Sequence, residues 1–519
     1  MILYLISSEL PILYAALKQR SFMLLYLLGH TYKYECEKIC RIYFPTEKIV
    51  FAESEETPAG EESFVLTRVS EENGETEFFC RAVLNGKEAN GAQRAADEKF
   101  PEDPDREKEL ARVMTDVLTR LTGIVPPWGI LTGVRPSKLM RKYMADFGEE
   151  KAEELFTSFL KVTEPKARLA VNVAKAENEG VALSKPDSFS LYISIPFCPT
   201  RCSYCSFVSH SVESAKKLIP DYVRLLCEEI KQTAGIARAL HLRLETVYIG
   251  GGTPTSLSAA GLENICRALN ENFDMQAARE FTVEAGRPDT IDEEKLRVLK
   301  AAGVDRISIN PQTFSDAVLE NIGRRHTSAD ILEKFALARK LGFDNINMDL
   351  IAGLPGDTPA GFKESLDKAI SLAPENITVH TLALKSSSTL VTSESTDKVC
   401  ADTAEMVEHA GRALYAAGYT PYYMYRQSKS VGNLENVGWC KEGKACLYNI
   451  YMMEEIHTVL ACGGGAVTKL KSPFDVTLER IYNFKYPYEY IGRFEEQSAR
   501  KNAIADFYKR ITPDIVPKG

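Results

Sequence analysis

The sequence predicts an α/β protein. Its centre is a block of parallel strands alternating with helices, preceded by a small α+β domain and followed by a mostly helical or mixed region. Three observations carry this. Apolar strand candidates recur at 189–195, 245–250, 280–284, 305–310, 344–350 and 376–382. Helical stretches at 216–238, 257–272, 293–302, 328–341 and 359–372 separate most of them, and such β–α steps imply parallel strands with right-handed crossovers. Residues able to do chemistry gather just after these strands. Alternation alone does not separate a doubly wound sheet from a barrel.

The 519 residues, 45% hydrophobic and 26% charged, have ordinary globular composition and suggest roughly two to four domains. The boundaries expected are an N-terminal α+β domain over 1–185, a central domain over 186–390 and a C-terminal, substrate-side region over 391–519. A net charge of −9 and a pI near 5.6 argue against nucleic acid or a membrane surface as partner. Twelve cysteines without framework spacing suit a reducing, cytoplasmic compartment. The apolar start is broken by Ser7, Ser8, Glu9 and Pro11, then by Lys18 and Arg20. It is too short for a membrane span and lacks a signal peptide's basic leader; residues 1–22 read as an extension.

In chain order, Met23 to Leu28 and Ile49 to Ala52 are candidate strands flanking an amphipathic stretch, Tyr32 to Tyr43. Phe64 to Val69 and Glu77 to Leu84 alternate around a turn, as a hairpin does. Cys36 and Cys40 share a helix face, for which core packing is the simpler reading. Residues 85–109, charged and with Pro101 and Pro104, read as a loop before a helix over Glu107 to Leu121. Arg135 and Lys138, in the Gly- and Pro-rich segment 128–139, can grip an anion or simply mark a domain junction. Glu164 to Glu179 reads as a helix.

Directly after the strand Phe189–Ile195 comes Cys198-Pro-Thr-Arg-Cys202-Ser-Tyr-Cys205. Three thiolates on one short loop can hold three irons of a [4Fe–4S] cube, leaving the fourth open, whereas protein cubes usually take four cysteines. A zinc site using His210, or unligated thiols, explains the same residues; a structural zinc usually needs four ligands. The later strand ends carry Gly250-Gly-Gly-Thr-Pro-Thr255, Glu284-Ala-Gly-Arg-Pro288, Asn310-Pro-Gln-Thr-Phe314, Asp349 with Gly353-Leu-Pro-Gly356, and Ala383. Each has an ordinary reading: a flexible turn, a helix-start carboxylate, a solvated basic turn at Gly323-Arg-Arg-His-Thr327. Their recurrence at strand ends, where barrel enzymes place their chemistry, makes a shared site the better account.

The cysteine loop, with an aromatic residue before its third cysteine, resembles the radical S-adenosylmethionine (SAM) superfamily. The wider match, from Leu191 to the glycine cluster Ala461–Val467, resembles the oxygen-independent coproporphyrinogen III oxidase family, and within it the HemZ-type coproporphyrinogen dehydrogenases. That resemblance implies a partial (β/α)6 barrel, a [4Fe–4S] cluster held by Cys198, Cys202 and Cys205, and one or two SAM molecules. It places Tyr204 near adenine and Tyr192, Gly251, Gly252, Thr253, Glu284, Ala383 and Val467 at SAM-contacting positions. Gln312, Arg324 and Asp349 match contacts to a second SAM.

The reaction implied is reductive SAM cleavage, hydrogen removal from a propionate of coproporphyrinogen III, and loss of CO2 and an electron, performed twice to give protoporphyrinogen IX. A coproporphyrinogen or related tetrapyrrole and an electron-donor protein are the implied partners. Arg426 and Lys429, beside the aromatic run Tyr419–Tyr425, can receive propionates; an aromatic core with surface charges explains them equally. Cys440 and Cys446 are a weaker candidate for an auxiliary metal.

Two departures bear on the reaction. The oxidase branch has a fourth cysteine where this chain has Phe207, a residue the haem-chaperone branch shares. That chaperone branch usually carries His-Asn-x-x-Tyr-Trp, where this chain reads Tyr448-Asn-Ile-Tyr-Met-Met453. Losing the histidine removes the natural haem-iron ligand. A haem or tetrapyrrole carrier on the same scaffold is the alternative reading.

Overall fold

The computed structural model describes residues 22–45, 47–52, 63–96, 103–205, 209–383, 396–427 and 429–511. The expected extension over 1–22, apart from Phe22, and Phe207 lie outside these. The chain forms two compact units, Met1–Val171 and Asn172–Gly519, the division falling within the helix Glu164–Leu183.

The first unit holds a five-stranded sheet of β1 (Phe22–Leu28), β2 (Lys48–Ala52), β3 (Ser63–Glu72), β4 (Glu75–Leu84) and β5 (Lys87–Ala96), in the order β2-β1-β3-β4-β5. The helix Lys33–Tyr43 buries Cys36, Ile39, Cys40 and Tyr43, so both cysteines are core residues. Residues 87–96, expected as loop, are instead a strand paired with β4 from Lys87↔Leu84 to Ala96↔Glu75. The stretch lacks β-branched residues and offers no pattern of its own. Its turn decides the matter: Asn85 and Gly86 have φ of +49° and +77°, and a two-residue Asn-Gly loop in the left-handed region closes a hairpin.

The second unit is built on β6 (Ser188–Ile195), followed by the two-residue pair β7 (Phe197–Cys198) and β8 (His210–Ser211). Then come β9 (Arg243–Gly251), β10 (Glu280–Glu284), β11 (Arg306–Ser308), β12 (Ile346–Ala352) and β13 (Asn376–Thr381). The six strands β6, β9, β10, β11, β12 and β13 lie side by side in sequence order, all parallel. This is the expected partial (β/α)6 barrel, open rather than closed. β6 is buried along nearly its whole length, as a strand covered on both faces must be.

Four of the crossover helices start where the sequence supplies a cap. Ser258, Asp292, Thr327 and Thr358 each accept a hydrogen bond from the backbone N–H three residues on, each worth about 1 kcal/mol. The remaining residues add β14 (Thr420–Arg426), β15 (Glu435–Cys440), β16 (Thr458–Cys462), β17 (Val467–Lys471) and β18 (Leu478–Tyr482). β15 and β14 extend the sheet antiparallel beyond β13, while β16 pairs parallel with β6 and carries β17 and β18. The residues expected as a separate C-terminal region thus flank both edges of one eleven-stranded sheet. No described helix is long and apolar enough to cross a membrane.

Candidate functional site

The parallel strands all end on one side of the sheet, and a cavity of about 380 Å³ opens there. Cys198, Cys202 and Cys205 line it together with Gly251, Gly252, Thr253, Glu284, Gln312, Arg324, Asp349 and Ala383. Residues separated by up to 185 positions in sequence thereby share one wall.

The cysteine loop is tethered at several points. Thr200 Oγ1 donates to Gly323 O at 3.0 Å and Ser203 N to Ile322 O at 3.1 Å. Thr253 Oγ1 donates to Cys198 Sγ at 3.5 Å. Arg287 Nη1 reaches Cys202 Sγ at 3.6 Å. Burial pushes the Cys198 thiol up. Among the described residues no three His, Cys, Asp or Glu side chains converge as a ready single-ion site; the three thiols line the wall.

The glycine run explains itself here. Gly252 N and Thr253 N donate to Ile195 O and Phe197 O, both at 2.8 Å. A Cβ on Gly252 would lie 2.7 Å from Phe197 O and 3.0 Å from Cys198 Sγ. Gly251 has φ +110°. Only glycine lets the end of β9 pass this close beneath the cysteine loop.

Two carboxylates face the cavity with opposite electrostatics. Glu284 accepts from Tyr248 Oη at 2.7 Å, and burial pushes its carboxyl up to about 7. Burial also acts on Asp349, but the neighbouring His380, Asn347 and Thr378 side chains hold it below the usual carboxylate range. Asn347 Nδ2 donates to Asp349 Oδ1 at 2.8 Å, and His380 Nε2 stands 3.7 Å from Oδ2. Arg324 donates to Asn310 O at 2.6 Å and to Tyr204 Oη at 3.1 Å. Asn310 Oδ1, Gln312 Oε1 and Ser308 Oγ belong to residues lining the same wall and, among the described residues, are buried without a hydrogen-bond partner. Buried polar atoms are rarely left so, and a bound polar ligand answers the need. Gln312 is also held at φ +68°.

Six candidates lie off this wall. Tyr192 stands behind it, its ring 6.3 Å from Tyr248 and 6.2 Å from Tyr448 in a stack of tyrosines. Val467 opens β17 and pairs with Tyr482. Arg426 is buried on the opposite face of β14 from Tyr425, opposite Glu435 on β15. Strand alternation puts Tyr423, Tyr425 and Gln427 on the cavity side instead. Lys429 is exposed in the turn beyond. Cys440 and Cys446 are both buried, and Cys446 Sγ donates to Glu280 Oε1 at 3.1 Å.

The sequence reading did not single out Tyr248, Arg287 or His380. Their signals were present: Tyr248 precedes the glycine run by two positions, Arg287 stands within the quoted Glu284–Pro288 segment, and His380 lies in β13. Asn436 and Asn449 also reach the wall, from elements whose placement no local pattern announced.

The radical SAM superfamily model matches residues 192–369. The oxygen-independent coproporphyrinogen-III oxidase-like protein HemZ of Bacillus subtilis (strain 168) is 38% identical over 399 residues, covering 76% of this chain and 79% of that protein. The heme chaperone HemW of the same organism is 42% identical over 200 residues, covering 38% of this chain and 51% of its own length. The solved coproporphyrinogen III oxidase (HemN) from Escherichia coli overlaps 63% of this chain and 73% of its own at 23% identity and a TM-score of 0.47.

Proposed function

The chain belongs to the radical SAM coproporphyrinogen oxidase-like family, whose members bind a [4Fe–4S] cluster and SAM, and from that premise we propose that it converts coproporphyrinogen III to protoporphyrinogen IX without oxygen. The observation that carries this reading is the single cavity shared by three thiols, a glycine cradle and a set of unpartnered buried polar atoms. The donor set fits both groups. Cys198, Cys202 and Cys205 would hold the cluster, with Gly251, Gly252 and Thr253 beside it for the SAM amino group. Glu284 would take the ribose hydroxyls, with Tyr248 fixing its orientation. Gln312, Arg324 and Asp349 form a second polar region for another SAM or for substrate.

Bound there by these residues, the cluster and SAM would supply one-electron reductive chemistry for hydrogen removal from a propionate. The chain's own work is to bind, orient and exclude. Tyr423 and Tyr425 offer apolar faces toward a tetrapyrrole, and His380, its Nε2 3.7 Å from Asp349 Oδ2, presents a polar edge beside them. Tyr204, tied to Arg324, holds the cysteine loop against the far wall.

A haem or tetrapyrrole carrier is the second reading, favoured by the likeness to HemW. Against it, the residue standing for the chaperone histidine is Tyr448, buried and stacked on Tyr248 at 4.4 Å. The test is anaerobic incubation of reconstituted protein with SAM, a low-potential reductant and coproporphyrinogen III. Loss of two CO2 units by tetrapyrrole mass, absent in Cys202→Ala, is the expected result. Tight haem retention with no SAM cleavage would put the carrier first, and SAM cleavage with intact coproporphyrinogen would point to another substrate.

A further inference from the structure

We propose that Arg287 sets the reduction potential of the iron–sulfur cluster held by the cysteine loop, an inference that rests on the cluster reading above. Arg287 follows β10, and its side chain is buried at the cavity wall. One edge of its guanidinium faces the loop: Nη1 donates to Cys202 Sγ at 3.6 Å and to Thr200 Oγ1 at 3.0 Å. The other edge is clamped by Asp289, with Nε at 3.0 Å from Oδ1 and Nη2 at 2.9 Å from Oδ2. His326 Nδ1 stands 3.7 Å behind, against Asp289 Oδ1. A planar fork held along both edges has little freedom to turn away.

The geometry gives this cation a direction of action. Three thiolates and a cube carry net negative charge, and reduction adds one electron from a low-potential one-electron donor. A fixed positive donor at one ligand sulfur stabilises the reduced form more than the oxidised form. Hydrogen bonds to cluster sulfurs act in this sense on potential, and burial strengthens the effect. Asp289 offsets part of the charge, but it binds the edge away from the sulfur. Arg287 makes and breaks no bond in the step. It changes how easily the electron arrives.

The test is a reductive titration of the full reconstituted chain followed by electron paramagnetic resonance, with iron counted per chain. Arg287→Gln should hold the same iron as wild type yet show a tenfold smaller reduced-to-oxidised ratio at a fixed potential, equivalent to about 59 mV for a one-electron couple. Arg287→Lys should recover part of the shift. The double variant Arg287→Gln/Asp289→Asn avoids leaving Asp289 without its cation and is read the same way if the single variant misfolds. An unchanged potential at full iron loading overturns the proposal. So does loss of iron from the single and double variants alike, because Arg287 would then retain the cluster rather than tune it. Failure of the wild-type chain to load iron would instead overturn the cluster reading itself.

Discussion

Glu284 shows how one side chain's surroundings prepare it for a ligand. Its carboxyl is buried, meets Asp349 across the cavity and is relieved mainly by the Tyr248 hydroxyl. It therefore keeps its proton to about pH 7, against an ordinary value of 4.5. Between those values the native chain binds more protons than the unfolded chain, so raising the pH favours unfolding. The ligand-free protein should lose thermal stability as pH rises from about 5 to about 7.5, and Glu284→Gln should flatten that slope. Melting curves across this range check it; identical slopes for the two proteins would remove the shift. Arg426 teaches the complementary lesson. Its neighbours Tyr425 and Gln427 face the cavity, so alternation along β14 sends it to the other side, opposite Glu435.

The glycine run at the end of β9 and the cysteine loop after β6 act as one element, because two backbone hydrogen bonds join them. Gly252→Ala puts a methyl 2.7 Å from Phe197 O and 3.0 Å from Cys198 Sγ. Backbone cannot yield as a flexible side chain does, so the loop must shift. The substitution should cost about 1–3 kcal/mol, measured by urea unfolding, and should lower iron incorporation at the same time. A stable variant with full iron would show that the loop tolerates the displacement. The C-terminal glycine turn is braced in the same manner. Ser194 Oγ donates to Gly464 O at 2.8 Å, and Gly464 N donates to Tyr222 Oη at 2.7 Å.

Across the second unit, a buried ion pair joins distant parts of the chain. Lys501 Nζ lies 2.9 Å from Glu229 Oε1, and both residues are almost wholly buried. Glu229 also accepts from Gly463 N at 2.7 Å, Asn483 Nδ2 at 2.8 Å and Tyr490 Oη at 2.6 Å. The C-terminal segment is thereby fixed to the helix Ile219–Ala239 and to the end of β16. Lys501→Met leaves the Glu229 charge buried without its cation and should destabilise by about 3–5 kcal/mol. Glu229→Gln/Lys501→Met should recover much of that loss, because neither charge then remains. Chemical denaturation of the three proteins decides it, and equal losses in both variants would assign the effect to packing.

The order of the six parallel strands was legible because strand and helix periods differ, so apolar strand runs and helical stretches separate along the chain. The cysteine loop and the residues at the strand ends were legible for a related reason: parallel connectivity forces all those ends to one side. β5 escaped because its residues carry no strand pattern, and pairing with β4 through the Asn85–Gly86 turn supplies its reason to be extended. Arg287 and Tyr248 stood in quoted or adjoining segments, but only folding put one against Cys202 and the other against Glu284. The antiparallel pair β14–β15 and the parallel strand β16 joined one sheet through backbone pairing between residues far apart in the chain. Local sequence sets which way a residue can point along its own element. Which distant residue it meets is set by sheet register and burial, and these exist only in the folded chain.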